Sequence, residues 1–479
     1  MNRKKFTRIS AMATSALMVP DFMLKAAAGK AFTSQRPPVG KRNFTSDAVE
    51  SLIADVKKNV KDEELVWMFE NCFPNTLDTT VFFEMKDGKP DTYVITGDID
   101  AMWLRDSSAQ VNPYLPLCKE DKHLAQMVEG VIRRQTKCIL LDPYANAFYK
   151  DSNKISPWKT DQTEMKPGVH ERKWELDSLC YCIRLAYQYW KITGNTAHMD
   201  EEWHNAMVLV VETMKDQQRK NDKGKYHFQR RTITLSDTLA GDGYGKPVKP
   251  NGMICSAFRN SDDATNYLYN IPENLFAVTA LRQLVEMIIA TSHRDELVMT
   301  ARNLADEVEH ATLKNGIIDY TAFGKIYAYE CDGLDHTVAM EDAGIPGLIT
   351  IPYLGYGTTE DEVYKSSRKF ALSKDNPYFY QGKSVEGIGS QHLAYKGEMI
   401  WPMGIISRAI TSTDNAEITH CINMLKATHA GTGFMHEGFK PNSPKNFTRH
   451  WFAWANSFFG EMVWMVYKEN PGLLQRESK

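Results

Sequence analysis

The chain has 479 residues, and its 57 Lys and Arg almost balance its 60 Asp and Glu, which leaves a formal net charge of −3 at pH 7. A chain this close to neutrality has no field that would attract a polyanion, so no nucleic-acid partner is expected. Hydrophobic residues make up 43% and charged residues 24% of the chain. This composition is typical of a globular protein with a large core and excludes a disordered or fibrous chain.

The N-terminal segment has the order of a secretory signal. The first ten residues are basic, residues 9–24 are mostly apolar, and small residues follow up to Gly29. We therefore expect a signal peptide or anchor at residues 1–28, a linker at residues 29–45, and export to the periplasm. Pro20 and Asp21 interrupt the apolar stretch and favour the alternative, a surface helix or an unstructured N-terminus. No later stretch reaches the ~18 uninterrupted apolar residues of a membrane-spanning helix, so no integral membrane domain is predicted.

From residue 46 onward, apolar residues recur at three- and four-residue spacing, the period of a helix. The predicted helices are 46–60, 63–73, 123–141, 175–193, 201–221, 273–292, 295–313, 360–373, 415–429 and 451–469, with weaker ones after Asp106 and around Met340 and Met403. About twelve helices joined by loops of very unequal length predict an all-α fold, an (α/α)6 barrel or toroid of alternating inner and outer helices. The residues from 46 to 479 would form one catalytic domain whose long loops build the site. An α-solenoid is the alternative, but no repeat of fixed length is visible.

A first polar cluster follows at residues 98–106. Asp100, Arg105 and Asp106 lie close to Trp103 in a short loop, together with Asp98. Carboxylates and a guanidinium hold vicinal hydroxyls bidentately while an aromatic ring stacks on a sugar face, so the cluster indicates sugar binding. Alternatively, Asp106 is the N-cap of a helix that begins after it.

Two further carboxylate motifs indicate acid and base chemistry. Asp262 and Asp263 are adjacent, and two neighbouring acids in a partly buried loop raise the pKa of one of them, which keeps a proton available for donation. Their alternative role is helix capping. Glu437, next to His436, lies far along the chain between two predicted helices, and it supplies the second carboxylate that inverting glycoside hydrolysis requires. Its alternative is a solvated surface glutamate.

Other candidates are ambiguous alone, and cofactor motifs are missing. His392 is a possible hydroxyl ligand, although a lone histidine is more often structural, and Glu175 and Asp177 lie at a helix start. The eight cysteines include no C-x-x-C pair, and the sequence shows no nucleophile elbow, phosphate loop or dinucleotide fingerprint. We predict no metal and no cofactor.

Six segments together resemble glycoside hydrolase family 125, the exo-acting α-1,6-mannosidases. They are GDIDAMWLRDSSAQVNPYL, WELDSL, FRNSDDATNYLYNIPENLFAV, MEDAGIPGLITIPYLGY, EGIGSQH with WPM, and MHEGFKPNSPKNFTRHWFAWANSFFGE. They occur in the family's order from about residue 46 to near the C-terminus. The resemblance implies an (α/α)6 fold and metal-independent, inverting hydrolysis of terminal α-1,6-linked mannose.

The resemblance also implies roles for individual residues. Glu437 matches the general base, and the general acid falls in the Asp262 and Asp263 pair, with Asp263 preferred but not separated from Asp262. Arg105 and Asp106 would hold the terminal mannose, with a further group nearby: Asp100, Trp103, His392 and His436. Gly438 departs from the family's expected serine after the base.

The expected partners are mannose-containing oligosaccharides, such as fragments of mannan or N-glycans, bound by a monomer. Two alternatives stay open at this point. A non-catalytic glycan-binding protein would keep the aromatic and arginine contacts but would not need opposed carboxylates. Another (α/α)6 glycosidase, such as a glucosidase or a trehalase-like hydrolase, would differ in substrate alone.

Overall fold

The computed structural model describes residues 32–291, 296–383 and 385–475. It divides into two units, residues 1–33 and residues 34–479. Almost all of the first unit lies outside the described residues, and so does the predicted signal at residues 1–28. The signal, the export and the periplasmic location therefore stay predictions.

Helices dominate the second unit. They are α1 (Asp47–Asn59), α2 (Glu63–Cys72), α3 (Asn75–Thr79), α4 (Leu104–Val111), α5 (Lys122–Leu141), α6 (Leu176–Thr193), α7 (Glu201–Asp216), α8 (Ile271–Ala290), α9 (Glu296–Asn315), α10 (Glu362–Ala371), α11 (Pro402–Ile410), α12 (Asn415–Thr428) and α13 (Ala453–Glu469). Short 3-10 turns lie at Val39–Lys41, Asn112–Lys119, Leu235–Asp237, Gln391–Lys396 and Pro471–Gln475.

Short antiparallel strands lie in the loops between the helices. They are β1 (Val81–Lys86), β2 (Lys89–Val94), β3 (Met102–Trp103), β4 (Ala147–Phe148), β5 (Val169–Glu171), β6 (Tyr269–Asn270), β7 (Ile317–Tyr320), β8 (Gly324–Tyr327), β9 (Glu330–Cys331), β10 (Thr337–Val338), β11 (Phe379–Gln381), β12 (Glu386–Ile388), β13 (Phe439–Lys440) and β14 (Ser443–Phe447). Four pairs are hairpins of consecutive strands, and the three-stranded sheets have the orders β3-β4-β5 and β10-β9-β6.

The helices alternate between an inner and an outer ring. Inner neighbours contact each other in the series α13 to α4, α4 to α6 and α6 to α8, and α11 closes onto α13. The turns at residues 347–356 take the remaining inner place, since Gly355 approaches Thr279 of α8 and Tyr353 Oη donates to Glu461 of α13 at 3.0 Å. The helices α2, α5, α7, α9, α10 and α12 lie outside. This arrangement is the predicted (α/α)6 toroid.

The sequence explains which helices lie inside. The side chains of α8 are buried nearly all round, whereas α10 buries only Tyr364, Ser367, Phe370 and Ala371, which recur at helical spacing along one side. A helix that is apolar on all sides belongs in a core, and a one-sided helix belongs at the surface.

Several outer and inner helices also differ in the capping of their N-termini. The outer helices α2, α5 and α7 begin with Asp62, Asp121 and Asp200, whose side chains accept a backbone N–H in the first turn. The inner helices α4, α6, α11 and α13 begin without such a side-chain cap. The free N–H groups and the positive dipole ends of these inner helices can therefore interact with groups other than a capping side chain.

The long loops all precede inner helices. Residues 142–175, 217–270, 372–401 and 429–452 lead from an outer to an inner helix, whereas inner helices connect outward through short segments such as 194–200 and 411–414. The long loops therefore gather at the end of the toroid where the inner helices begin. This placement agrees with the expectation that long loops at one end build the site.

Most predicted helices are confirmed within a few residues, one expectation is wrong, and two helices have other bounds than predicted. No helix surrounds Met340 among the described residues; turns at 347–356 replace it, because glycines and prolines at 344, 346, 347, 352 and 355 break the helical ladder. The helix expected after Asp106 begins earlier, at Leu104. The helix α7 ends at Asp216 rather than at residue 221.

The predicted linker is partly packed against the helices. Arg36 has only 5% of its side chain exposed and forms ion pairs with Glu50 at 2.5 Å and with Asp78 at 2.8 Å. In the described part of the chain, no helix combines the length and the apolar character that crossing a membrane would require.

Candidate active site

One guanidinium lies at the centre of the site. Arg105, in the first turn of α4, has only 3% of its side chain exposed. Its Nη1 donates to Glu175 Oε2 at 2.7 Å and to Asp177 Oδ2 at 3.4 Å. Its Nη2 donates to Asp262 Oδ1 at 3.3 Å, and its Nε lies 3.6 Å from Asp106 Oδ2. Four carboxyl groups from three separate segments therefore share one cation.

Burial makes several of these carboxyl groups hard to ionise. Loss of hydration raises the pKa of Asp177 to about 6, although Arg105 lowers it. The same loss of hydration raises the pKa of Glu175 well above its usual value. Asp106 behaves likewise, since burial raises its pKa to about 6 against the effect of Arg105. A single cation does not compensate four carboxylates that have lost most of their hydration, and Glu175 is the member that retains a proton near neutral pH.

Asp262 is the member of this cluster that reaches solvent. Its side chain is 29% exposed, and its φ of +64° lies in the left-handed region, which is costly for a residue with a Cβ. Burial raises the pKa of Asp262, but Arg105 and Lys173 outweigh it and hold the pKa well below the usual range. Asn146 Nδ2 donates to Asp262 Oδ1 at 3.3 Å and to Glu175 Oε1 at 3.1 Å. The amide and the guanidinium thus hold these two carboxyl groups side by side.

Asp263 pairs with a histidine instead. Its Oδ2 lies 3.6 Å from His392 Nδ1 and accepts the Ser261 hydroxyl at 3.1 Å. Burial lowers the pKa of His392, but Asp263 outweighs it and raises the pKa to about 9, with further contributions from the charges of Asp262 and Glu437. Burial raises the pKa of Asp263, and His392 lowers it below its usual value. His392 is therefore a cation at neutral pH, influenced by three carboxylates.

Glu437 reaches the site from the loop before α13. Its side chain is 8% exposed, and its Oε1 lies 3.3 Å from Arg449 Nε. Arg449 Nη1 also donates to Asp98 Oδ1 at 2.5 Å. His436 stacks on Phe447 with ring centroids 3.8 Å apart, and its Nδ1 lies 3.0 Å from the Arg449 carbonyl oxygen. These contacts orient the Glu437 loop and connect it to the loop before α4.

Aromatic rings border the His392 side of the site. Trp401 meets His392 edge to face with centroids 6.2 Å apart, and Phe452 meets Trp401 at 6.4 Å. Trp401 and Phe452 are the N-cap residues of α11 and α13. Ring faces beside carboxylates are the surroundings that sugar rings prefer.

The structure brings most of the predicted site residues together, with two exceptions. Asp100 has 71% of its side chain exposed and pairs with Lys154 at 2.8 Å, away from the carboxyl cluster. Trp103 is buried as the N-cap residue of α4, packs edge to face on His170 at 5.2 Å and belongs to a small hydrophobic core cluster.

The alternative roles in helix capping are wrong. Trp103, not Asp106, occupies the N-cap of α4, and Asn270 caps α8, eight residues after Asp262 in the sequence. The expectation that proximity raises the pKa of Asp262 or Asp263 is also wrong, because each aspartate lies against a different cation. The carboxyl groups whose pKa is raised are those that burial removes from water, namely Asp106, Glu175 and Asp177.

Several site residues had no clear signal in the sequence. Asn146 and Arg449 lie in loops, far along the chain from the carboxylates that they contact. Glu175 and Asp177 were ambiguous because a carboxylate at a helix start is common. Among the described residues, no group of three or more His, Cys, Asp or Glu is arranged to hold a metal ion.

Comparison with known proteins assigns the chain to a family. Residues 62–464 match the family model described as metal-independent α-mannosidase, GH125. The chain is 39% identical over 462 residues to the meiotically up-regulated gene 157 protein of Schizosaccharomyces pombe, which covers 93% of this chain and 90% of that protein.

Two solved structures are similar in fold. A Streptococcus pneumoniae protein of the metal-independent α-mannosidases, in a non-productive complex with α-1,6-mannobiose, has a TM-score of 0.85 and 40% identity, and the match covers 89% of this chain and 100% of that one. A bacterial glucoamylase complexed with acarbose has a TM-score of 0.53 at 11% identity, covering 90% of this chain and 58% of that one. The second similarity concerns the fold alone, and both support the (α/α)6 assignment.

The pair formed by His392 and Asp263 predicts a pH-dependent stability. The pKa of His392 is about 9 in the folded protein, above the ~6.5 of an unfolded chain. Its stabilising contribution is therefore complete below pH ~6.5 and is lost as the pH rises through about 9. We expect the stability of a His392→Gln variant to decline less between pH 7 and 9 than that of the parent, measured as thermal midpoints. The control His420→Gln, on the exposed side of α12, should retain the parent's slope, and parallel curves for all three proteins would contradict the pairing.

Proposed function

The chain belongs to the metal-independent α-mannosidases of glycoside hydrolase family 125, and we propose that it releases terminal α-1,6-linked mannose from oligosaccharides with inversion. The family makes it a glycoside hydrolase, and a non-catalytic glycan-binding protein is not favoured. The linkage is that of the mannobiose bound by the similar Streptococcus pneumoniae protein. The proposed partners are mannose-containing oligosaccharides.

The observation that carries the proposal is the meeting of carboxylates from two distant loops. Asp262 and Asp263 precede α8, Glu437 precedes α13, and the negative charges of all three raise the pKa of His392. Inverting hydrolysis needs an acid on one side of the glycosidic bond and a base on the other, ~6.5–9.5 Å apart, so that a water molecule fits between base and sugar. A site that only binds sugar does not need carboxylates on opposite sides of the glycosidic bond.

The proposed reaction is a single displacement. An aspartic acid of the pair gives its proton to the glycosidic oxygen, and the bond from that oxygen to the anomeric carbon breaks. Glu437 takes a proton from a water molecule, whose oxygen forms the new bond to the anomeric carbon from the opposite face. Arg105 and Asp106 hold hydroxyls of the departing mannose.

Two observations favour Asp262 over Asp263 as the proton donor. The Asp262 side chain is 29% exposed, whereas only 7% of the Asp263 side chain is exposed. Asp263 is also engaged by Ser261 and His392, which suits a residue that positions its neighbour. The sequence-based preference for Asp263 stays a competing prediction.

Glu175 offers a reason why Asp262 carries a proton at the moment of reaction. Glu175 and Asp262 accept hydrogen bonds from the same guanidinium and the same amide, and burial raises the pKa of Glu175 well above its usual value. Two adjacent carboxyl groups titrate as a unit that holds one proton. We propose that this shared proton lies on Asp262 when substrate binds.

The activity test is proton NMR of the purified protein with α-1,6-mannobiose and a chelator. Inversion predicts that the first mannose released is the β anomer and that the chelator has no effect. Early α-mannose would contradict the single displacement, and binding without release would leave only a glycan-binding role.

Substitutions assign the carboxylates. Glu437→Gln and Asp262→Asn should each lower kcat by about 10²-fold or more, since general acid–base groups contribute roughly 10²–10⁴. Asp263→Asn should have a smaller effect. A thermal midpoint close to that of the parent serves as the folding control. A greater loss in Asp263→Asn than in Asp262→Asn would exchange the two roles.

Glu175→Gln tests the shared proton. The variant cannot share a proton with Asp262, and Arg105 then keeps Asp262 ionised to a lower pH. The alkaline limb of the profile of kcat/KM against pH should therefore move to lower pH, while the acid limb, which reports the base, stays in place. A uniform loss of activity at all pH values would instead indicate a purely structural role for Glu175.

A further inference from the structure

A second cleft, bordered by basic side chains, lies outside the carboxyl site. It has a volume of about 400 Å³ and is formed by the turn after α7 and by the loop at residues 241–250. Four basic side chains line it, Arg219, Lys220, Lys223 and Lys246, together with one acid, Asp222. The cleft is therefore positive in a chain whose net charge is −3.

Arg219 is the informative member of this cleft. The residue is only 6% exposed, and its Nε is buried without a hydrogen-bond partner. Its Nη1 donates to the Tyr244 carbonyl at 2.8 Å and its Nη2 to Gln217 Oε1 at 3.4 Å. Neither acceptor carries a charge. A buried guanidinium without a carboxylate is costly, because the charge has lost its hydration and has gained no anion.

The lysines are also largely uncompensated. Lys223 lies over the ring of Tyr244 at 5.0 Å, and Lys246 lies over the ring of Tyr267 at 4.9 Å. Lys220 alone pairs with a carboxylate, that of Glu307. The carboxylate of Asp222 accepts a backbone N–H at 2.8 Å within its own turn. The cleft thus retains a free positive charge.

We propose that this cleft binds an oxyanion, and specifically the phosphate group of a phosphorylated sugar. A guanidinium beside ammonium groups recognises phosphate through charge-assisted hydrogen bonds. The volume of about 400 Å³ lies in the range of sites for small organic ligands and leaves room beyond a bare anion. The anion site is independent of the hydrolytic activity, whereas the identification of its ligand as a phosphorylated sugar rests on the proposed function.

The cleft is joined to the loop that carries the aspartates. Gly245, with a φ of +81°, brings its backbone against the Leu268 side chain, and Tyr269 Oη donates to the Lys249 carbonyl at 3.3 Å. Leu268 follows Asp262 by six positions in the sequence. The cleft therefore lies beside the segment that follows the aspartates in the sequence.

Calorimetric titration of the full chain at fixed ionic strength tests the inference with three probes, inorganic phosphate, mannose 6-phosphate and mannose. We expect saturable binding of mannose 6-phosphate, weaker binding of phosphate and none of mannose at this cleft. Equal affinity for the two phosphates would make it a site for the free anion and overturn the sugar assignment. The absence of binding by both phosphates would overturn the site.

Variants localise the binding. Lys223→Gln with Lys246→Gln should weaken mannose 6-phosphate binding roughly tenfold or more, and the double variant should still hydrolyse neutral α-1,6-mannobiose at the parent's rate. Lys225→Gln is the matched control, because Lys225 is exposed, carries the same charge and lies beside the cleft rather than in it. Equal weakening by the control would reduce the effect to general electrostatics and overturn the site. Failure of hydrolysis in the parent, with phosphate still bound, would reject the proposed function and leave the anion site intact.

Discussion

The site depends on the burial of Arg105 among four carboxyl groups. Removing a guanidinium from water is costly, and the cost is offset only if anions surround it closely. Glu175 at 2.7 Å and Asp262 at 3.3 Å provide part of that compensation. Because these partners come from different elements, the ion cluster also ties α4, α6 and the loop before α8 into one arrangement.

The same cluster divides the carboxyl groups by protonation state. Asp262, which touches solvent and a second cation, stays ionised, and Glu175, which burial isolates from water, retains a proton. The second cation is Lys173, whose charge adds to that of Arg105. In the proposed mechanism, the contact between these two carboxyl groups places a proton donor and its supply close together, which is what acid catalysis near neutral pH requires.

The toroid explains why these groups meet at all. Each inner helix begins at the same end, so the long loops that precede the inner helices converge there. The uncapped N-termini of α4, α6, α11 and α13 direct positive dipole ends toward an acid-rich site, which favours ionised carboxylates. The outer helices α2, α5 and α7 are capped by aspartates and belong to the frame around this end.

Much of this could be read from the chain itself. Helical periodicity located nearly all the helices, because apolar residues that recur every three or four positions lie on one buried side of a helix. Asp262, Asp263 and Glu437 stood out as acid motifs, and Arg105 and Asp106 as candidate sugar ligands. The missing helix near Met340 shows the limit, since apolar content predicted a helix where the prolines and glycines impose turns.

The sequence by itself determined the helical class of the fold, the family and the candidate residues for its chemistry, because periodicity and motifs are local properties of the chain. Only the tertiary structure decided the protonation states and partners. The shift in the pKa of an aspartate depends on which cation lies a few ångströms away and on how much water is excluded, and both are set by loops distant in sequence. For the same reason Asn146 and Arg449 entered the site only in three dimensions, and Arg219 was recognised as an uncompensated charge only after its surroundings were known.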